Sequence, residues 1–190
     1  MNARRIVVGI SGASGVPVAI DILHCLKLLP DVRTHLVVTR GAEMTIRQEA
    51  NLTLEEIYSL ADAVHDREDI GAAIASGSFK TEGMVVVPCS MKTLAGIAHG
   101  YTDNLLLRAA DVTLKEQRRL VLAVRETPFS PVHLRNMLDL SRLGVGIVPL
   151  MLTYYSNPRS IEDMSRHMAG KILDLFGIET PGFKRWGEPT

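Results

Sequence analysis

Four stretches of this sequence carry residue types that can hold an anion or move a proton. Gly9-Ile10-Ser11-Gly12-Ala13-Ser14-Gly15 stands between an apolar run, Ile6-Val7-Val8, and a helical pattern that begins near Val16. A strand, a turn of small residues and a helix, in that order, make an anion site. The backbone comes close to the ligand there, and the N–H groups of the helix start point at it. Ser11 and Ser14 add hydroxyls to the turn. Ser90-Met91-Lys92-Thr93 opens a second hydroxyl-bearing helix directly after another apolar run. Arg125-Glu126 follows a third such run, where a cation could hold phosphate and a carboxylate could move a proton. Tyr154, Tyr155 and Lys171 offer further phosphate donors.

The spacing narrows the ligand. The glycines run G-x-x-G-x-x-G rather than G-x-G-x-x-G. The second strand ends in Thr39-Arg40, without the acidic residue that would hold an NAD ribose. Arg40 leaves NADP open, and a glycine turn can also serve packing alone. Two helix starts side by side suit a mononucleotide with one phosphate, such as FMN. Arg108, Asp111 and Lys115 share one face of a later helix, which is equally the pattern of a solvated ion-pair ladder. The sequence has no D-D-x-x-D segment, H-E-x-x-H motif, Cys/His cluster or G-x-S-x-G elbow. The six histidines, His133 among them, are dispersed and read as structural. The donor set therefore favours a monophosphate handled by side chains without a metal.

The elements that must position these residues alternate. A helix is expected over 15–29, with Pro17 in its first turn, where a missing N–H costs little. His35–Thr39 reads as the second strand. Helices follow over 41–49 and 53–61, the latter opened by a Thr53/Glu56 capping box. Ala75–Gly83 is small and polar and reads as a functional loop. Met84–Pro88 is almost purely apolar, as suits a central parallel strand. Helices are expected from Cys89 to Gly100, from Asn104 to about Arg118, over 131–142, and from Ser160 to about Phe176. Strands are expected at 120–124 and 145–148. Five strands alternating with helices predict an α/β fold with a doubly wound parallel sheet, whose ligands bind beyond the carboxyl ends of the strands.

Composition sets the outer bounds. The 190 residues suit one domain, and 21 basic against 21 acidic side chains leave no field for nucleic acid or an anionic membrane. The start, Met1-Asn2-Ala3-Arg4-Arg5, passes straight into a strand without a signal-peptide pattern, and no apolar run is long enough to span a bilayer. Cys25 and Cys89 are too few for a disulfide framework or a zinc site. A cytoplasmic protein is expected.

Several of these segments, in order, resemble one family. Gly9–Gly15, Pro88-Cys89-Ser90-Met91-Lys92-Thr93-Leu94, Arg108–Val112 with Leu114-Lys115-Glu116, Val124-Arg125-Glu126-Thr127-Pro128, His133–Met137 and Arg185-Trp186 resemble the UbiX-type flavin prenyltransferases, from about Arg4 to Trp186. The closest likeness is to bacterial members that accompany phenolic-acid decarboxylases. The resemblance implies a Rossmann-like or flavodoxin-like single FMN-binding domain over 1–190. It also implies a homo-oligomer, dodecameric in the family, with the tail from about 177 to 190 in contacts between copies. Reduced FMN would receive a dimethylallyl group from dimethylallyl monophosphate at N5 and C6. Phosphate would be released without a metal, and the prenylated FMN would serve a UbiD-type decarboxylase.

Carried over by position, the resemblance puts Gly12, Ala13, Ser14, Thr39, Ser90, Met91, Lys92, Thr93 and Arg125 on FMN, with Arg108 in the same set. Tyr155 and Lys171 would bind the dimethylallyl phosphate together with Arg125. Glu49, Lys115 and Glu126 would complete the phosphate and proton-handling shell, and Ser14 would lie near flavin N5. Thr39 and Lys171 stand where serine and arginine are common in the family, and lysine lacks arginine's planar fork. Arg125, Lys115, Lys171 and the Tyr155 hydroxyl would stabilise the leaving phosphate. The proton lost on ring closure could go to that phosphate, to Glu49 or to Glu126. A flavin-dependent cysteine decarboxylase of the phosphopantothenoylcysteine type is the alternative enzyme. It differs at the third strand, where a P-A-S-A-N-T-like segment would replace Pro88–Thr93, and in a P-x-M-N-x-x-M segment absent here. A non-catalytic FMN carrier would leave Arg125, Tyr155 and Lys171 without a task.

Overall fold

The computed structural model describes residues 3–181 and 183–187; Met1, Asn2 and the tail's Glu188 lie outside them. One all-parallel sheet runs in the order β3-β2-β1-β4-β5-β6, formed by β1 (Arg4–Ile10), β2 (Val32–Val38), β3 (Ala63–His65), β4 (Gly83–Cys89), β5 (Arg119–Val124) and β6 (Gly146–Ile147). The strand order reverses between β1 and β4, which makes their carboxyl ends the switch point where such sheets bind ligands. On one face lie α1 (Val16–Lys27), α2 (Arg40–Glu49), α3 (Leu54–Tyr58) and α7 (Ile161–Asp174). The other face carries α4 (Met91–Ala98), α5 (Leu105–Lys115) and α6 (Pro131–Arg142).

Side-chain alternation builds both cores. Ile6, Val8 and Ile10 of β1 face α1 and α7, whereas Val7 joins Met84, Val86 and the α4–α5 residues opposite. All seven residues of β4 are buried, as its apolar run requires for a strand covered on both sides. No helix among the described residues is long and apolar enough to cross a membrane.

One expectation changes. The sheet has a sixth strand, β3, which pairs with β2 alone at the edge. Its three residues, one of them an exposed valine, carry no apolar run to announce it. The Ala75–Gly83 stretch enters β4 at the amino edge of the sheet, away from the ligand edge. Arg118 straps it there through the carbonyls of Phe79 (2.8 Å) and Gly77 (2.5 Å), and Arg5 holds the Lys80 carbonyl. The same stretch lies against Arg108 through the Ala75 carbonyl and against Lys115 and Glu116 at Gly77.

Beside it, the half-buried rings of His35 and His65 stack at 5.2 Å with their Nδ1 and Nε2 atoms 2.9 Å apart. Burial, then the neighbouring His65 and Arg5, push His35 down to about 4, and burial also lowers His65. Below the ordinary histidine value near 6.5 the unfolded chain takes up protons that folded His35 refuses. Stability should therefore be full above about pH 6.5 and fall as the pH drops towards 4. Urea unfolding across this range should show the loss, and His35→Gln should flatten it. An unchanged pH slope in the variant would clear the pair of responsibility.

Candidate functional site

The site begins where β1 and β4 end. Ser11 is buried, and its hydroxyl donates to the Pro88 carbonyl (2.9 Å) while accepting the Ser90 N–H (2.8 Å). Its own N–H also reaches the Pro88 carbonyl, at 3.2 Å. Ser11 therefore fastens the opening turn to the start of α4 and has no hydroxyl to spare for a ligand. Gly12 lies against the start of α2 so closely that a Cβ there would come 2.9 Å from the Gly41 carbonyl carbon. Only glycine allows that approach. Thr39 caps α2, accepting the Ala42 N–H at 3.2 Å, which explains why an uncharged hydroxyl ends the second strand.

These elements frame a cavity of about 460 Å³, within the usual range for small-ligand sites. Gly12, Thr39, Ser90, Lys92 and Thr93 line it. Ser90 caps α4 by accepting the Thr93 N–H, and its hydroxyl donates to Thr93 Oγ1 at 3.1 Å. Met91 points into the apolar core, so only its backbone can meet a ligand. Arg40 and Arg67 add cations to Lys92, against Glu68 and Asp103, while Leu106 and Leu107 form an apolar wall. Hydroxyls, a helix start and surplus positive charge beside an apolar wall fit the phosphate and ring of FMN. Arg67 escaped sequence reasoning because Asp66-Arg67-Glu68 reads as an ordinary charged loop. Its carbonyl accepts the Leu105 N–H at 2.7 Å, and its guanidinium is steered by Glu43.

The opening turn behaves differently from expectation. Glu49, at the end of α2, accepts the N–H groups of Gly15 (2.8 Å) and Val16 (3.1 Å). The first donors of α1 are thus held by a carboxylate, and the helix start left facing the cavity is that of α4. Gly15 has φ 115, the left-handed region, and a Cβ there would meet Leu150 at 2.6 Å. Ser14 is half-buried beside this cap, and its hydroxyl makes no hydrogen bond among the described residues. Arg125 stands next to the α4 start, its N–H on the Cys89 carbonyl at 3.2 Å and its side chain exposed. Glu126 accepts the Thr127 N–H.

Arg108, Lys115 and Lys171 do not gather here within one chain. Arg108 is drawn off by Asp111 (2.8 Å) and the Ala75 carbonyl (3.3 Å) and does not line the cavity. Lys115, paired with Glu116 at 2.6 Å, ends α5 just before β5 begins. Arg125 follows the other end of that strand, six residues or about 20 Å away at ~3.3 Å per residue. Lys171 sits 3.9 Å from Asp174, which Arg185 also pairs, near the end of α7. That end docks on Arg4 at the amino edge of the sheet through the Phe176 carbonyl. Tyr155 packs edge-on against His167 and Trp186 and donates to the Lys184 carbonyl at 3.4 Å. Within one chain, then, Lys115 and Lys171 lie towards the amino edge of the sheet and Arg125 at its carboxyl edge. Among the described residues no group of three His, Cys, Asp or Glu side chains comes together to hold a metal.

Comparison with known proteins adds to this geometry. Residues 1–174 match the Flavoprotein family. A probable UbiX-like flavin prenyltransferase of Streptomyces sp. (strain D7) is 53% identical over 182 residues, covering 96% of this chain and 91% of the relative. The crystal structure of AnUbiX (PadA1) in complex with FMN and dimethylallyl pyrophosphate superposes with a TM-score of 0.96 at 48% identity, covering 99% and 100% of the two chains. A dodecameric FMN-dependent UbiX-like decarboxylase from Escherichia coli O157:H7 does so with 0.95 at 48% identity, covering 97% and 100%.

The Ser11 stitch makes a direct prediction. Ser11→Ala leaves the part-buried Ser90 N–H without its partner and the Pro88 carbonyl with the Ser11 N–H alone, a loss of about 1–3 kcal/mol. Urea unfolding should register it. A loss below about 0.5 kcal/mol, the lower limit for one hydrogen bond, would mean the stitch is dispensable.

Proposed function

Because this chain belongs to the Flavoprotein family and, within it, to the UbiX-like flavin prenyltransferases, it joins a dimethylallyl group to FMN, and we propose how its residues divide that work. The observation that carries the assignment is the α4 start at the switch point, with Ser90, Lys92 and Thr93 on the cavity and Arg125 beside it. Residues 1–190 form one FMN-binding domain. Gly12 and Ala13 offer close backbone, Thr39, Ser90 and Thr93 offer hydroxyls, and Lys92, Arg40 and Arg67 balance the phosphate charge. Met91 contributes its backbone. Reduced FMN, when bound, supplies the electron-rich ring whose N5 and C6 accept the dimethylallyl carbons.

Ser14, with its free hydroxyl next to the Glu49-capped turn, orients the ring edge near N5. Arg125 presents a guanidinium fork to the donor phosphate. As the allylic C–O bond breaks, its electron pair goes to phosphate, and a preorganised cation stabilises that developing charge. As the C6 bond forms, the allyl double bond takes up one proton and C6 releases one, and Glu49, one residue from Ser14 through its bond to Gly15, relays that exchange. Glu126 completes the polar shell beside Arg125. The donor is dimethylallyl monophosphate, the smallest ester the chemistry needs.

Lys115, Lys171 and Tyr155 reach the donor phosphate from other copies of the chain. The supporting fact is that Lys115 and Arg125 lie at opposite ends of β5. The active form is then a homo-oligomer, a dodecamer as described for the Escherichia coli relative. Arg108, tied to Asp111, acts in the same assembly rather than in the chain's own cavity. The product passes to a UbiD-type decarboxylase of phenolic or aromatic acids, and the setting is the cytoplasm.

Incubating the protein with reduced FMN and dimethylallyl monophosphate, then weighing the extracted flavin, tests the reaction. The flavin should gain one five-carbon prenyl unit; an unchanged mass with both ligands bound would remove the transferase assignment. Subunit mixing tests the shared site. Lys115→Ala and Arg125→Ala proteins should each be inactive, and oligomers assembled from both should recover part of the wild-type rate. A mixture as inactive as its parents would place both residues in one chain's site.

A further inference from the structure

A second cavity, of about 500 Å³, lies between the Ser156–Arg159 segment, the first half of α7, Pro181 and Lys184. It shares no lining residue with the flavin cavity. Its charges are one-sided: Arg159, Arg166 and Lys184 face a single carboxylate, Asp163. Asp163 is already spent, its Oδ2 accepting the Arg159 N–H at 2.9 Å and its Oδ1 pairing with Arg166 at 2.8 Å. The pairing occupies one edge of the Arg166 guanidinium and leaves its other donors open, since the group carries five. The side chains of Arg159 and Lys184 make no ion pair or hydrogen bond among the described residues.

The floor of the cavity adds a neutral donor. His167 is 4% exposed, with Tyr155 Oη 3.5 Å from Nε2 and a buried Nδ1 that has no hydrogen-bond partner. An unpaired polar atom of this kind costs stability unless something meets it. An anion meeting Nδ1 selects the tautomer in which Nδ1 carries the proton, and the Tyr155 hydroxyl then turns from the Lys184 carbonyl to donate to Nε2. Pro158 and Pro181 stiffen two walls, so the cations are presented on a restrained frame.

We propose that this cavity is a second phosphate site, separate from the flavin cavity, that takes a phosphate dianion through Arg159, Arg166 and Lys184. Two arginine forks and a lysine suit tetrahedral, multiply accepting oxygens better than they suit a lone carboxylate. The space exceeds what a bare phosphate fills, so the ion can be free or can head a small organic ester. The site stands independently of the prenyl-transfer assignment, although that reaction both consumes a phosphate ester and releases phosphate.

Calorimetric titration of the whole, FMN-loaded protein with inorganic phosphate, and separately with dimethylallyl monophosphate, tests the site. The double variant Arg159→Ala/Lys184→Ala alters exposed side chains only. It should bind the ligand at least tenfold more weakly while FMN affinity and the unfolding midpoint stay unchanged. Parallel loss for both ligands, or loss for the ester alone, identifies the donor's head group as occupant; loss for inorganic phosphate alone identifies the free ion. Arg166→Gln should weaken the same ligand in the same direction. Wild-type affinity in the double variant overturns the proposal, as does phosphate binding that Arg125→Ala abolishes and the double variant keeps. Failure of prenyl transfer with these titrations intact would count against the reaction and leave the site standing.

Discussion

A buried hydroxyl sets the geometry of the ligand edge. Ser11 bonds both the last carbonyl region of β4 and the first N–H of the α4 entry, so the opening turn and the α4 start cannot drift apart. Thr39 N–H on the Ile10 carbonyl and Arg125 N–H on the Cys89 carbonyl extend the same frame to the neighbouring strand ends. The glycine contact between Gly12 and Gly41 closes it on the α2 side. Four strand ends thus act as one rigid rim. Groups held this way do not have to be ordered again when a ligand arrives, which is the condition for electrostatic preorganisation.

Within that rim, two helix starts of similar sequence character do opposite work. The α1 start holds the Glu49 carboxylate on two backbone N–H groups, an arrangement the helix dipole favours. A second anion would meet a fixed negative charge there. The α4 start has no acidic residue in its first turn and carries Lys92. A ligand phosphate is therefore directed to α4, and the α1 side is left with a carboxylate next to the free Ser14 hydroxyl.

The parts of this fold that were legible in the sequence are those that local pattern controls. The apolar run Met84–Pro88 could only be a strand buried on both faces, and Thr53, Ser90, Asn104 and Ser160 mark helix starts that the structure confirms as caps. Ala63–His65 escaped because an edge strand of three residues is specified by its partner rather than by its own side chains. At the site, residue types were readable but allegiances were not. Ser11 and Ser14 stand three apart in the same turn, yet one is buried in the frame and the other is free. Nothing in the sequence of Asp66-Arg67-Glu68 reveals that Leu105 pulls this loop to the cavity.

The cations show why a single chain keeps its catalytic set dispersed. Two like charges 4 Å apart repel by about 4 kcal/mol at an effective dielectric of 20. Arg125, Lys115 and Lys171 gathered around no ligand would accumulate several such terms. In the separate chain Lys115 and Lys171 instead rest on a local carboxylate, Glu116 and Asp174, and Arg108 rests on Asp111. These pairs are exposed, so each contributes only about 0–1 kcal/mol and is cheaply exchanged. In the proposed assembly, a doubly charged phosphate enclosed between copies would offer stronger partners in a drier place. Dispersal over opposite edges of the sheet therefore favours the folded chain by itself, and the proposed shared site would gather these cations only where assembly and donor supply the compensating charge.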